Sequence, residues 1–278
     1  MSYILCRTKP ADTPFYIENI STNIYSIEEL CFYLYNNLYL VDETILNGKL
    51  CDWLQNVLGL TALSKKVRSL LEQKAPVGQI LMPIFKEIYY LSHEEMRIFN
   101  AKLEQYGAQP ERIRMKMKAD YLYGNEKYRN ALNIYKASLK LPEDDETGSQ
   151  FKGSVYYNMG CAYARLFEFS EARECFKTAY EFLHTNRVLT GYLTAVCLAD
   201  GEDQMMKTAE SLGVDQDTVL QIWSQLEDAR ESFEESAIAA RFQKLKERME
   251  NGDRRGYETG MKDYLKELTD TYHKNTGY

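Results

Sequence analysis

A segment near the middle of the chain combines small and aromatic residues at helical spacing. Between Ser154 and Tyr180, the small residues Gly160, Ala172 and Ala179 are interspersed with tyrosine and phenylalanine side chains. Small residues at such positions let two helices approach closely, because a larger side chain would hold the helix axes apart. The segment therefore predicts a pair of tightly packed helices.

The rest of the chain also favours helix. Only 15 glycines and 6 prolines interrupt 278 residues, of which 45% are hydrophobic. Long stretches with an apolar period of 3.6 residues and few β-branched runs predict an all-α protein. One exception is a small β-hairpin, which we predict from two short extended segments at Tyr3–Cys6 and Phe15–Ile17.

Capping signals and turn residues divide the chain into three predicted domains. Residues 1–107 form a helical domain, in which Ser26 and Ser92 each begin a capping box. Residues 108–213 form a repeat region, and residues 214–278 form long helices that begin after Asp215. We expect one long helix to reach about Glu250. Its apolar stripe shifts register after Phe233, so it caps the repeats within the chain or, as a less favoured alternative, pairs with a partner as a coiled coil.

An internal period supports the repeat region. Adding 34 residues to Met159 and Tyr163 gives Leu193 and Cys197, which are again apolar. An earlier copy recapitulates the pattern of the later one, in which a turn residue is followed by an aromatic residue, an alanine and a second aromatic residue, with two extra residues in the turn of the earlier copy. These positions are Gly124, Tyr128, Ala131 and Tyr135 in the first copy, and Phe167, Phe169, Ala172 and Phe176 in the second.

These copies resemble the tetratricopeptide repeat, a helix-turn-helix unit of about 34 residues. The resemblance covers residues 112–142, 154–183 and 187–213, and is most complete at 154–183. It implies an α-solenoid of stacked repeats, flanked by the N-terminal helices and by the C-terminal capping helices. Two buried aromatic residues, Tyr135 and Phe176, are expected to lie behind the binding wall.

In this family the inner helices line a concave groove that holds a protein or peptide segment. The resemblance assigns eight residues to that groove: Arg114, Lys118, Tyr121, Tyr157, Asn158, Cys161, Arg165 and Tyr192. Three of them are basic, so we expect an acidic or carboxylate-bearing ligand with apolar anchors. Asn158 also matches one position of a carboxylate clamp, but asparagine is a common filler of the repeat, and the rest of the clamp is missing.

Charge and motif content argue against several other functions. A net charge of −7 opposes nucleic-acid binding, and no apolar stretch approaches the length of a membrane span. The six cysteines lack zinc or disulfide spacing, and the three histidines are remote from one another. Phosphate-binding loops and nucleophile motifs are missing. We therefore expect a cytoplasmic protein without catalysis, cofactor or metal.

The sequence leaves two functional hypotheses. The first is an intracellular scaffold that binds another protein and helps to assemble or regulate a complex. The alternative is a signalling or transcriptional regulator, in which the repeats sense a peptide and the N-terminal helices act on a second target. Leu60–Leu71, with Lys65, Lys66 and Arg68, would be part of a DNA-binding helix-turn-helix in that case. The identity of the partner and the oligomeric state are not encoded in any motif.

Overall fold

A computed structural model describes residues 10–142 and 148–276 of the chain. Fourteen α-helices, two short 3-10 helices (Glu18–Ile20 and Leu38–Leu40) and one two-stranded sheet make up the regular structure of these residues, which confirms the all-α class. The backbone contacts divide the chain into two compact units. The first unit ends at Asn125 and the second extends from Glu126 to Thr276, so the boundary falls within the first predicted repeat.

The first unit contains the sheet and six helices. Its elements are β1 (Phe15–Ile17), β2 (Thr22–Ile24), α1 (Ile27–Asn36), α2 (Gly48–Asn56), α3 (Thr61–Glu72), α4 (Val77–Glu87), α5 (His93–Gly107) and α6 (Glu111–Gly124). A 3-10 turn, Leu38–Leu40, lies between α1 and α2. One apolar cluster, which includes Leu30, Leu34, Leu54 and Phe85, forms the core of this unit.

The sequence located several ends of these elements correctly. Ser92 and Glu95 form the predicted capping box at the start of α5, and that helix ends at Gly107 as expected. At α1 the Ser26 hydroxyl accepts the Glu29 N–H, whereas the Glu29 carboxylate accepts the Tyr25 N–H. Each cap satisfies backbone donors that an isolated helix end leaves without partners.

The β-hairpin prediction is correct for one strand only. β1 coincides with the predicted segment Phe15–Ile17, but it pairs antiparallel with β2, so that Phe15 faces Ile24. The other predicted strand, Tyr3–Cys6, lies outside the described residues. The segment Thr22–Ile24 is too short to show an alternating pattern, and the sequence therefore gave no sign of it.

The second unit is entirely helical. Its elements are α7 (Tyr128–Ser138), α8 (Gly148–Arg165), α9 (Phe169–Leu183), α10 (Asn186–Asp200), α11 (Glu202–Ser211), α12 (Gln216–Glu234), α13 (Ala237–Glu250) and α14 (Arg254–Thr276). From α7 to α11, each helix packs against the next along the chain. Helix α14 packs against both α13 and α7, the first helix of the unit.

The predicted single helix from Asp215 to Glu250 is wrong. The structure divides it into α12 and α13, with the break at Glu235 and Ser236. The Ser236 hydroxyl accepts the Ala239 N–H at 3.1 Å and so caps α13. The register shift of the apolar stripe after Phe233 therefore marks the end of one helix and the start of another.

A phenylalanine ring explains the small residues of the central segment. Phe176 of α9 lies between Gly160 of α8 and Gly191 of α10. A Cβ atom at residue 160 would come within 2.7 Å of the Phe176 ring, and one at residue 191 within 3.2 Å. Phe176 and Tyr135 are both buried, as predicted. The glycines are needed because the aromatic ring occupies the volume that a side chain would fill.

Candidate binding surface

The eight predicted groove residues lie on three helices in two units. Arg114, Lys118 and Tyr121 belong to α6 of the first unit. The other five belong to the second unit, on helices α8 and α10. They are Tyr157, Asn158, Cys161 and Arg165 on α8, and Tyr192 on α10.

Two of the α6 residues bind to their own unit. The Lys118 ammonium forms an ion pair with Asp42, and the Tyr121 hydroxyl donates to the Asn36 carbonyl oxygen at 2.7 Å. Burial tends to raise the pKa of the Asp42 carboxyl, but hydrogen bonds from Lys118 and Thr44 outweigh it and hold that pKa below its usual value. Lys118 and Tyr121 therefore hold the end of α1 and the segment that follows it against α6.

The residues of α8 form a more promising surface. Tyr157, Cys161 and Arg165 follow one another at intervals of four residues, which places them on one side of the helix. Arg187 of α10 adds to this side, because its Nε donates to the Tyr157 hydroxyl at 2.8 Å. We call these four residues the α8 face. Asn158 is half-buried beside Tyr157.

The Tyr157 ring is held on two sides. Its centroid lies 5.5 Å from that of Phe176, and the Arg187 guanidinium carbon lies 4.9 Å from the Tyr157 centroid. Because Phe176 is itself fixed between Gly160 and Gly191, the support of Tyr157 depends on the close helix packing. A guanidinium over an aromatic ring contributes a cation–π attraction in addition to the hydrogen bond. The ring is therefore preorganised, while remaining partly accessible to solvent.

The charge of the α8 face is positive although the chain is acidic. Helix α8 contains no aspartate or glutamate, and the side chains of Arg165 and Arg187 are exposed. Burial raises the pKa of the Cys161 thiol, while the Tyr157 hydrogen bond and the charges of Arg187 and Arg165 oppose that rise. The net rise keeps Cys161 in its neutral thiol form, so the two arginines supply the charge of this face.

Tyr192 lies elsewhere. It lines a shallow depression with Arg173 and Glu174 of α9 and with Thr208 of α11. The residue of α10 that belongs to the α8 face is Arg187, and not Tyr192. The sequence patterns did not identify Arg187. The resemblance places Tyr192, and not Arg187, among the groove residues of the third copy. The place of Arg187 on this face depends on its contact with Tyr157, which is 30 residues away in the chain.

The described residues contain neither a candidate metal site nor a candidate membrane-spanning helix. No group of three or more His, Cys, Asp or Glu side chains in residues 10–142 and 148–276 could hold a metal ion. Within the same residues, no helix combines the length and apolar character that a membrane span requires. The chain matches no protein-family model, no curated protein and no solved structure.

Proposed function

We propose that this protein is a non-catalytic intracellular scaffold of the tetratricopeptide type, which binds a segment of another protein on the α8 face. The observation that carries the proposal is the support of Tyr157 by Phe176 and Arg187. A second exposed arginine, Arg165, lies about two helical turns further along α8. A preorganised aromatic side chain loses little entropy on binding, which is why tyrosine and arginine dominate the energetics of many interfaces.

The chemistry of the α8 face defines the partner. The Tyr157 ring offers an apolar contact for an aliphatic or aromatic side chain. Arg165 and Arg187 each present a planar guanidinium, whose terminal N–H groups can donate hydrogen bonds to a carboxylate. The expected ligand is therefore an acidic segment with one apolar anchor. Attraction between opposite charges would mainly accelerate its association.

The packing of α7 to α11, in which each helix contacts the next along the chain, supports a repeat architecture for the region that carries this surface. In a stacked repeat, each helix packs on its sequence neighbours, and successive inner helices come side by side. Here α8 and α10 also contact each other, and they jointly contribute the α8 face. We assign these two helices to the inner layer and α9 to the outer layer.

A displayed library of random peptides, selected on the full chain, tests the proposal. We expect enrichment of peptides in which aspartate or glutamate lies next to an aromatic or aliphatic residue. The double variant Arg165→Glu with Arg187→Glu should lose their binding, because both guanidinium groups are replaced by carboxylates. The melting temperature should change little, since both side chains are exposed.

The matched control reverses two other charges in the same unit. Lys177 on α9 and Lys207 on α11 are also exposed, so Lys177→Glu with Lys207→Glu gives the same net charge without altering the α8 face. This control should bind the selected peptides as the parent does. Equal binding by the parent and the Arg165→Glu, Arg187→Glu variant would exclude the α8 face as the binding surface.

A further inference from the structure

The first unit contains a cleft, none of whose lining residues belongs to the α8 face. Its volume is about 810 Å³, which lies in the range typical of small-molecule sites. Its walls are formed by the start of α4, the C-terminal half of α5, the turn after α1 and one residue of α6. Most of the wall surface is apolar, and the apolar side chains include Leu38, Val41, Val77, Met82 and Leu103.

Arg114 is the basic residue of this cleft. Its side chain is half-buried, and its Nε atom is enclosed without a hydrogen-bond acceptor. Two other cations on α6 have carboxylate partners, since Lys116 pairs with Asp120 and Lys118 with Asp42. Within the described part of the chain, no carboxylate lies within ion-pair distance of Arg114. Arg114 thus lines the cleft as a cation whose charge no nearby carboxylate of these residues neutralises, and it would attract an anionic group bound there.

The start of α4 adds positive potential to the same cleft. Pro76 precedes the helix and provides no side-chain cap for its first N–H groups. Val77 and Gly78, the first two residues of α4, both line the cleft. The uncapped N-terminus of an eleven-residue helix favours negative charge nearby. The last two residues of α5 also line the cleft, and the C-terminal end of a helix has the opposite effect. The full charge of Arg114 is therefore the main attraction for an anion.

Two acidic residues limit which anions the cleft can accept. Glu43 and Glu104 line it and are exposed to solvent, and therefore belong to its rim. Asp42 also lines the cleft, but the Lys118 ammonium compensates its charge. A ligand with a second negative group would be repelled by Glu43 and Glu104. The cleft thus favours a single anionic group over phosphates and dicarboxylates.

We propose that this cleft binds a small molecule with one carboxylate and an apolar body, and that Arg114 holds the carboxylate. The apolar walls bury the body of the ligand, while the guanidinium and the uncapped start of α4 receive its charge. This site is independent of the α8 face and gives the first unit a ligand of its own.

Binding of three matched eight-carbon probes to the full chain tests the chemical class. Isothermal titration should show that octanoate binds, and that octanamide binds about tenfold more weakly or worse, because it lacks the charge. Octylamine should bind more weakly than octanoate. Equal binding of octanoate and octanamide would overturn the role of Arg114. Tighter binding of octylamine would show that the acidic rim dominates, and would also overturn the proposal.

Two variants locate the site. Arg114→Gln should weaken octanoate binding about tenfold or more, whereas the control Lys116→Gln on the same helix should leave it unchanged. Met82→Trp should also abolish binding, because Met82 is half-buried in the cleft wall and a tryptophan would fill the space. Octanoate affinity that survives both Arg114→Gln and Met82→Trp would exclude this cleft. Peptide binding to the α8 face should be unchanged in all three variants, which separates the two proposals.

Discussion

Helices α8 to α10 and helices α13 to α14 have apolar residues at the same helical spacing, but these side chains are buried to very different extents. Phe176 and Leu193 are 5% and 0% exposed, respectively. In contrast, Phe242 of α13 is 53% exposed and Leu268 of α14 is 48% exposed. Both regions belong to the second unit, so the comparison concerns helices of one compact body.

The difference in burial follows from the number of helices that pack against each helix. Helix α9 has α8 on one side and α10 on the other, and its Phe176 ring fills notches at Gly160 and Gly191. Helix α13 packs mainly on α14, where Leu245 lies close to Gly260. One contact line buries one stripe of a helix and leaves the flanking apolar residues in solvent. An amphipathic pattern therefore predicts a helix, but not how much of its apolar face is covered.

The strongest test of the comparison changes the glycine beneath Phe176. Gly160→Leu should lower the free energy of unfolding by roughly 4 kcal/mol or more, because the new side chain and the buried ring cannot occupy the same volume. Urea unfolding, followed by the fluorescence of Trp223, measures this change. The chain has 2 tryptophans, and Trp53→Phe as a background leaves Trp223 as the reporter of the second unit.

Two other glycines provide controls for this substitution. At Gly260 an added Cβ would meet only the end of the Leu245 side chain, at 2.5 Å, and that side chain can rotate away. At Gly124 an added Cβ would meet nothing within 4 Å. Gly260→Ala and Gly124→Ala should therefore stay within about 1 kcal/mol of the parent, since alanine is also the better helix former. Gly124 belongs to the first unit, so its variant is followed by the fluorescence of Trp53 in a Trp223→Phe background. A loss for Gly160→Leu no larger than the loss for these controls would contradict the assigned packing of α8, α9 and α10.

Truncation of leucines should give a difference of intermediate size. Leu193→Ala on α10 should destabilise the second unit by about 3 kcal/mol, because it leaves a cavity beside Val196 and Met205. Leu268→Ala on α14 should cost less than about 0.5 kcal/mol, because that side chain is already half in solvent. The same urea titration measures both. Similar losses for the two variants would mean that α14 is covered in solution.

The smallest expected effect concerns the break between α12 and α13. Ser236→Ala removes the oxygen that accepts the Ala239 N–H, and should cost about 1 kcal/mol. Ser236→Asp should retain most of the stability, because aspartate is an equally good cap. Hydrogen exchange at the Ala239 amide reports the change directly. Unaltered exchange in Ser236→Ala would indicate that packing, and not the cap, determines where α13 begins.

Much of the fold was predictable because helix signals are local. The capping box at Ser92, the end of α5 at Gly107 and the burial of Tyr135 and Phe176 all followed from residue type and spacing. The single helix from Asp215 to Glu250 was predicted wrongly, since Ser236 is as compatible with a helix surface as with a cap. The strand Thr22–Ile24 was missed because three residues carry no reliable period.

The candidate site was predictable only in part. The stripe of Tyr157, Cys161 and Arg165 is a property of a single helix, so spacing alone placed these residues on one side. Arg187 required knowledge of how α10 is rotated against α8, which no local pattern contains. The contacts of Lys118 and Tyr121 with the segment after α1 join residues 76 and 85 positions apart in the chain. The sequence could not anticipate such pairings.

The sequence by itself determined the helices, their small and aromatic contact positions and the acidic charge, because these depend on backbone propensity, side-chain volume and composition. The tertiary structure decided which apolar faces are covered and which cations have partners. Arg114, Lys116 and Lys118 are all cationic and lie on one helix. Lys116 and Lys118 each form an ion pair with a carboxylate, whereas Arg114 lines the cleft and forms none with the described residues. Such differences arise from contacts between distant segments, and they exist only once the chain has folded.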